Sequence, residues 1–142
     1  MKYKFFTLIG AFLLFSCNSK NPQPIKLNTD NCDFCKMTIA NAPFATQLIT
    51  DKGRCYKFDD VSCMIQYQKE NETAKNATLY VANFANEKQF ILAAKAFYLE
   101  EGTISSPMQG NTIALSNEQE RATYQKKFNA QVTTWNKMYA AY

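Results

Sequence analysis

The fold of this chain is set by residues 44–58, which read FATQLITDKGRCYKF. Residues 44–50 alternate between two sets, with Phe44, Thr46, Leu48 and Thr50 on one side and Ala45, Gln47 and Ile49 on the other. This two-residue period is typical of a β-strand. Residues 51–53 form a turn sequence that ends in Gly53, and 55–58 reads as a returning strand. The segment therefore predicts a β-hairpin.

The residues after the hairpin predict a helix and then a third strand. Asp59 and Asp60 precede apolar residues that recur at spacings of three and four, up to about Glu70. This spacing is typical of a helix packed on one side, and one of the two aspartates is expected to cap it. Residues 79–84 are rich in apolar and aromatic side chains and read as a strand. Residues 29–86 are therefore expected to form one ββαβ unit.

Residues 87–142 repeat this order, although the two halves share no identity at the residue level. We expect strands at 95–99 and 112–115 with a loop at 104–110 between them, and a helix at 117–128 that begins with a capping box of Ser116 and Gln119. A closing strand at 131–134 precedes Trp135 and Met138, which pack a final turn. Since units of this size are barely stable alone, the predicted fold class is α+β, with two ββαβ units packed together.

Three sulfur-bearing side chains lie within six consecutive residues ahead of the hairpin. Residues 31–39 read NCDFCKMTI and contain Cys32, Cys35 and Met37. Thiolate and thioether donors select Cu(I), zinc or iron–sulfur clusters, and the methionine favours Cu(I). The chain has no histidine, which excludes a mixed Cys/His zinc finger, and Lys36 after Cys35 excludes the haem-attachment motif. The alternative for this motif is a disulfide between Cys32 and Cys35.

Further candidate ligands lie outside this motif. Met108 is on a predicted loop, either as a distal thioether ligand for the ion or as a plug at the seam between the two units. Asp59, Asp60 and Cys63 are candidates for contacts around the bound ion, although helix capping accounts for at least one of the aspartates. Cys55 either pairs with Cys63 or lies buried as a small hydrophobe.

The N-terminus predicts export and a lipid anchor. Two lysines precede an apolar run over residues 5–15, which is well short of the roughly 20 residues that cross a bilayer and so predicts a signal peptide over 1–16. The sequence LFSC at 14–17 resembles the bacterial lipobox, so Cys17 is expected to carry the lipid. Residues 17–28 are mostly polar with two prolines and predict a tether. We expect an extracytoplasmic lipoprotein, anchored on the periplasmic side of a bacterial membrane.

Together these residues resemble the NosL family, copper-binding accessory lipoproteins of nitrous-oxide reductase assembly. The matching features occur in order along the mature chain, and beyond the lipobox they extend from about Cys32 to Trp135. They are the lipobox, CDFCKMTI at 32–39, FATQL at 44–48, YKFDDVSCM at 56–64, AAKAFY at 93–98, SPM at 106–108 and IA at 113–114. Members of the family often have glycine where this chain has Lys36. Glycine also commonly follows the methionine of the SPM loop, where this chain has Gln109.

The resemblance implies a fold similar to the small ββαβ repeats of organomercurial lyase and a non-enzymatic role as a copper chaperone. It implies Cu(I) binding by Cys35 and Met37, with Cys32, Met108 or an oxygen donor as the third ligand. The implied acceptor is nitrous-oxide reductase or another cuproenzyme. Membrane anchoring would keep the carrier near a membrane transporter complex that supplies the copper.

Two other classes of protein fit the same cysteine pair. CxxC is also the motif of exported thiol–disulfide oxidoreductases, although the strand before the motif and the helix after it are missing from this pattern. In a structural lipoprotein, the pair would be a disulfide staple. A nucleic-acid partner is excluded, because the net charge of +4 comes from mixed charges without a basic patch. Substitution of Met37 separates the classes, since only a Cu(I) carrier depends on the thioether.

Overall fold

The computed structural model describes residues 20–142 and shows one β-sheet with three α-helices. The predicted signal peptide 1–16 and the predicted lipidation site Cys17 lie outside the described residues. Within residues 20–142, no helix has the length and apolar character needed to cross a membrane. In chain order, the elements are β1 (Thr46–Ile49), β2 (Cys55–Phe58), α1 (Val61–Glu70), β3 (Thr78–Asn83), β4 (Asn86–Leu92), β5 (Phe97–Glu100), β6 (Thr112–Leu115), α2 (Glu118–Phe128), β7 (Gln131–Thr133) and α3 (Trp135–Ala141).

The strands form one sheet in the order β2, β1, β3, β6, β5 and β7, with β4 also paired to β3. All pairings are antiparallel except that of β3 with β6, where Asn83 lies opposite Ala114. The backbone N–H of Phe84 donates to the carbonyl of Ala114 at 2.8 Å at the same point. The α+β class predicted from the sequence is confirmed. The predicted ββαβ order occurs as β1, β2, α1 and β3 and again as β5, β6, α2 and β7, with β4 between the two sets and α3 at the end.

Helix α1 packs on the first half of the sheet and brings its N-terminus to the edge where the hairpin ends. Its buried side chains include Met64 and Ile65, which lie in the same apolar cluster as Leu48 of β1 and Phe58 of β2. Asp60 is the N-cap, and its carboxylate accepts a hydrogen bond from the Ser62 N–H at 2.9 Å. The prediction that one of the two aspartates caps this helix is confirmed.

Strand β4 is absent from the sequence prediction, and one neighbouring strand begins later than predicted. Residues 86–89 are polar and exposed, so they carry no alternation of apolar and polar side chains that would indicate a strand. The strand forms because residues 90–92 pair with residues 80–82 of β3, and Asn86 pairs with Asn83 beyond a shift in register. The strand predicted at 95–99 is Phe97–Glu100, because Ala93–Lys95 form a 3-10 turn.

The capping residues of α2 differ from the predicted box of Ser116 and Gln119. Asn117 is the N-cap, and its side-chain oxygen accepts from the Glu120 N–H at 2.9 Å. The Glu120 carboxylate in turn accepts from the N–H and hydroxyl of Ser116, at 3.0 and 2.8 Å. A carboxylate is the stronger acceptor and also interacts favourably with the positive end of the helix dipole, so the box is built on Glu120.

The described part of the predicted tether lies against the sheet. Gln23 exchanges two hydrogen bonds with the buried side chain of Gln47, at 2.8 and 2.6 Å. The Lys57 ammonium donates to the Pro24 carbonyl at 2.8 Å, and the Tyr80 hydroxyl donates to the Lys20 carbonyl at 3.0 Å. Residues 20–24 are therefore held along β1 and its neighbours, so they do not act as a free spacer.

The observed cap of α2 predicts which substitution lowers stability. Asn117→Ala removes the acceptor for the Glu120 N–H and should lower the free energy of unfolding by about 1 kcal/mol. Gln119→Ala is the matched control, because Gln119 is exposed and its side chain is outside the observed cap. Urea unfolding of both variants checks this, and a larger loss in Gln119→Ala than in Asn117→Ala would contradict it.

Candidate metal centre

Cys32 and Cys35 lie on a tight turn closed by backbone hydrogen bonds. The Cys32 N–H donates to the Met37 carbonyl at 2.8 Å, and the Lys36 N–H donates to the Cys32 carbonyl at 3.0 Å. Asn31 and Thr38 form an isolated antiparallel bridge across the base of the turn. Lys36 has a φ of +66°, the left-handed conformation that reverses the chain between Cys35 and Met37. Both thiols are therefore held by a short loop and not by a helix.

Asp33 fixes this turn against the edge strand β2. Its N–H donates to the Lys57 carbonyl at 2.8 Å, and its carboxylate accepts from the Lys57 N–H at 2.7 Å. The two bonds use the backbone groups of Lys57 in the same way as a neighbouring strand would. Asp33 was not identified from the sequence, where the only available signal was an aspartate directly after the first cysteine.

Four donor groups converge where this turn meets the N-terminus of α1. One ligand atom each from Cys32, Cys35, Asp59 and Cys63 lies within 4.8 Å of all the others. The Cys35 sulfur is 3.6 and 3.7 Å from the two Asp59 carboxylate oxygens. Cys32, Asp59 and Cys63 are buried, and Cys35 is half-buried. We call these four residues the thiol cluster.

Hydrogen bonds make Cys32 the most acidic thiol of the cluster. Hydrogen bonding from the Cys63 thiol and from the backbone N–H groups of Cys35, Asp59 and Phe34 lowers the pKa of Cys32 to about 6 despite its burial. The pKa of Cys63 is raised, mainly because its proton is held in that bond. Burial raises the pKa of Cys35 to about 11. At neutral pH, the cluster therefore holds one thiolate and two thiols, which must lose their protons to bind a metal.

The sequence predicts Asp60 near a bound ion, whereas in the structure its carboxylate holds the Met108 loop. Its carboxylate is buried and accepts four hydrogen bonds, from the N–H and hydroxyl of Ser62 at 2.9 Å each, from the Ser106 hydroxyl at 2.5 Å and from the Met108 N–H at 3.1 Å. A Cβ at Gly110 would lie 2.5 Å from one Asp60 oxygen, so glycine is needed there. Because its oxygens are occupied, Asp60 acts as a positioning residue.

The two candidate thioether ligands lie at the surface. Met37 is 60% exposed and Met108 is 42% exposed, although both carry large apolar side chains. Met37 follows Cys35 on the turn, and Met108 is fixed through its backbone to Asp60, the residue after Asp59. The structure therefore places thioethers on the solvent side and thiols on the buried side.

Cys55 lies apart from the thiol cluster. It is half-buried on β2, with its sulfur 3.3 Å from the side-chain oxygen of Gln47. Cys32, Cys35, Cys55 and Cys63 are all free thiols in the structure. The alternative in which Cys55 pairs with Cys63 does not fit this placement, because the Cys63 sulfur lies with those of Cys32 and Cys35 in the thiol cluster, which does not include Cys55.

The thiol cluster suits a soft metal ion. Three sulfurs and one carboxylate are donors that bind Cu(I) or a tetrahedral zinc ion, and exposed thioethers shift the preference towards Cu(I). Three parts of the chain build the cluster: the turn of Cys32 and Cys35, Asp59 directly before the N-cap of α1, and Cys63 in the first turn of α1. The site is thus an arrangement of tertiary structure.

Comparison with known protein families gives a match over nearly all of the described residues. A family model, NosL, matches residues 24–142. The chain belongs to the NosL family. The structure is similar to the crystal structure of the copper chaperone NosL from Shewanella denitrificans, with a TM-score of 0.71 and 17% sequence identity over 83% of this chain and 95% of that chain. At that identity, the likeness establishes the NosL fold. No curated protein sequence matches the chain.

Lys36 and Gln109, the two residues noted above at positions where glycine is common in the family, both have left-handed backbones, with φ of +66° and +59°. A side chain with a Cβ is strained there, so Lys36→Gly should raise the free energy of unfolding by about 1 kcal/mol, and Gln109→Gly should act in the same direction. Lys75→Gly is the control, since Lys75 is exposed with φ −57° and glycine should destabilise it. Urea unfolding of the metal-free protein measures all three, and equal signs for Lys36→Gly and Lys75→Gly would refute the prediction.

The lowered pKa of Cys32 predicts a pH dependence of stability. Between about pH 6 and 9, the folded protein has lost the Cys32 proton that the unfolded chain still binds, so the reduced, metal-free protein should gain stability as pH rises through this window. Below pH 6 both states are protonated and the contribution disappears. Ultraviolet thiolate absorbance should show one thiol titrating near pH 6, and Cys32→Ser should abolish this step. Retention of the step in Cys32→Ser would assign it to another thiol.

Proposed function

We propose that this NosL-family protein is a copper chaperone that carries Cu(I) on the thiol cluster for assembly of an extracytoplasmic cuproenzyme. The observation that supports this best is the convergence of Cys32, Cys35 and Cys63 with Asp59 beside two exposed methionines. Soft sulfur donors in this number select Cu(I), and a buried cluster keeps the bound ion from water and oxidants.

The gradation of exposure suggests how the ion would be delivered. Cys35 is the least buried thiol of the cluster, and along the turn it lies between the buried Cys32 and the exposed Met37. A thioether binds more weakly than a thiolate, so Met37 is the donor that an acceptor ligand displaces first. Cu(I) then passes by exchange of ligands, with no covalent bond of a substrate made or broken. The role is non-enzymatic.

The cellular setting follows from the sequence features outside the described residues. The lipobox-like sequence at Cys17 supports anchoring of the protein as a lipoprotein on the periplasmic side of a bacterial membrane. The family supports nitrous-oxide reductase as the acceptor, with another cuproenzyme as the alternative. Anchoring would keep the carrier close to a membrane transporter complex that supplies copper.

The oxidoreductase alternative gains little support from the geometry. A redox CxxC opens a helix, whose N-terminus activates the first thiol, whereas Cys32 and Cys35 lie on a turn followed by a left-handed residue. A third cysteine beside the pair also has no role in a simple dithiol exchange. The cluster of donors is explained more directly by metal binding.

An anaerobic Cu(I) titration of the reduced protein, in competition with a colorimetric chelator, tests the proposal. We expect one tightly bound Cu(I) per chain, loss of tight binding in Cys35→Ser, and at least about tenfold weaker binding in Met37→Leu, because a donor is removed while the volume is kept. Met138→Leu is the matched control, since Met138 is a buried core residue and is not a candidate ligand.

The result that would overturn the proposal is wild-type protein that fails to compete for Cu(I). Met37→Leu that binds as tightly as wild type would remove the thioether from the site and favour the staple or redox alternatives. Circular dichroism of each variant without metal shows that a loss of binding is not a loss of fold.

A further inference from the structure

Among the described residues, two free cysteines, Cys55 and Cys63, lie outside the turn that carries Cys32 and Cys35, and the surroundings of Cys63 are very different from those of Cys55. Cys63 lies in the first turn of α1 and is 1% exposed, and its sulfur lies within 4.8 Å of the sulfur of Cys32. Its sulfur also lies within 4.8 Å of the Cys35 sulfur and of an Asp59 oxygen. Cys55, by contrast, faces an amide oxygen away from the cluster.

The simplest alternative is that Cys63 is a small apolar residue of the core. It does belong to the apolar cluster of the first half, as Met64 does. An apolar position, however, would not be expected to face a buried carboxylate and two thiols. Asp59 is 2% exposed, and its carboxylate lies 3.6 Å from the Cys35 sulfur. This corner of the core is therefore built from groups that bind metals.

The spacing of the sulfurs fits a shared ion. A thiolate lies about 2.3 Å from a metal such as zinc, so two sulfurs on opposite sides of one ion are about 4.6 Å apart and three sulfurs around it are about 4.0 Å apart. The donor atoms of the thiol cluster all lie within 4.8 Å of one another without a metal. Side-chain movements of less than about 1 Å therefore bring three sulfurs of the cluster to the separations that one shared ion needs.

We propose that Cys63 is a direct copper ligand. With Cys32, it forms a buried inner position for the ion. This inner position shares Cys35 with an exposed outer position, in which Met37 is the other ligand. This inference rests on the proposed function and adds to it the place where the cargo is held. In the inner position, Cu(I) is bound by thiolates that solvent does not reach. In the outer position, Cys35 and Met37 present it to an acceptor.

Two positions give Cys63 and Met37 opposite effects on the kinetics of delivery. Cys63→Ser removes the inner position, so bound Cu(I) should be lost to a competing chelator faster than from wild type. Met37→Leu removes the outer position, so transfer should be slower for the same occupancy. A site with a single position would slow or speed transfer in the same direction in both variants.

The direct test uses ¹⁰⁹Ag(I), a soft ion of the same charge as Cu(I), bound to the reduced protein. Scalar coupling between silver and a cysteine Hβ proton requires a metal–sulfur bond, so a proton–silver correlation spectrum identifies the ligands. We expect correlations to Cys32, Cys35 and Cys63, with the last lost in Cys63→Ser and all three kept in Cys55→Ser. Spectra of both metal-free variants report whether they remain folded.

Each outcome of this test has a separate meaning. Correlations to Cys35 and the Met37 methyl without Cys63, in folded silver-bound protein, would overturn the inner position and leave the carrier function standing. Failure of the wild-type protein to bind Ag(I) at all would overturn the carrier function itself. If Cys63→Ser does not fold, Cys63→Ala with the chelator-release measurement replaces it, and an unchanged release rate would overturn the inference.

Discussion

The carboxylate of Asp60 is the constraint on which the metal-binding edge depends. It is buried, and its four hydrogen bonds come from Ser62 in its own helix and from Ser106 and Met108, which are 46 and 48 residues away in sequence. A buried carboxyl group that lost these partners would destabilise the fold by several kcal/mol. The bonds therefore force the loop of the second half to close over the start of α1. As the residue before Asp60, Asp59 is placed in the thiol cluster by the same contact.

The site combines stiffness at the thiols with freedom at the thioethers. The turn of Cys32 and Cys35 is fixed by its own hydrogen bonds and by Asp33 on β2, and Cys63 is fixed by the helix. Met37 and Met108 instead project into solvent on side chains with several rotatable bonds. A carrier needs both properties, because the ion must be held in transit and released on contact with an acceptor. The burial of the donors follows the order in which they would be displaced.

Two residues keep this arrangement at a cost in stability. Lys36 and Gln109 have left-handed backbones at the turn of the cysteines and at the Met108 loop, where glycine would fit without strain. Both lie beside a candidate ligand. The strained positions thus mark the two loops that flank the site, as is common for functional loops in proteins. The side chains at these positions also alter the surface that an acceptor meets, since both are exposed.

Several features were determined by the sequence alone, since they depend on neighbours along the chain. The alternation over 44–50 predicts β1, the three-and-four spacing after Asp60 predicts α1, and the soft donors of 32–37 predict the class of metal. Others were decided by tertiary structure. Strand β4 exists because residues 90–92 and Asn86 pair with β3, although the polar residues 86–89 give no strand pattern.

The cluster of Cys63 with Cys32 also required the fold, since a helix residue and a turn residue 31 positions apart share no local pattern. The sequence identified Cys35, Met37 and Cys32 from their spacing. It did not separate the role of Asp59 from that of Asp60, because adjacent residues before a helix have the same local signal for capping. Only the packing of the turn on one side of α1 and of the Met108 loop on the other directs Asp59 to the sulfurs and Asp60 to the hydrogen bonds.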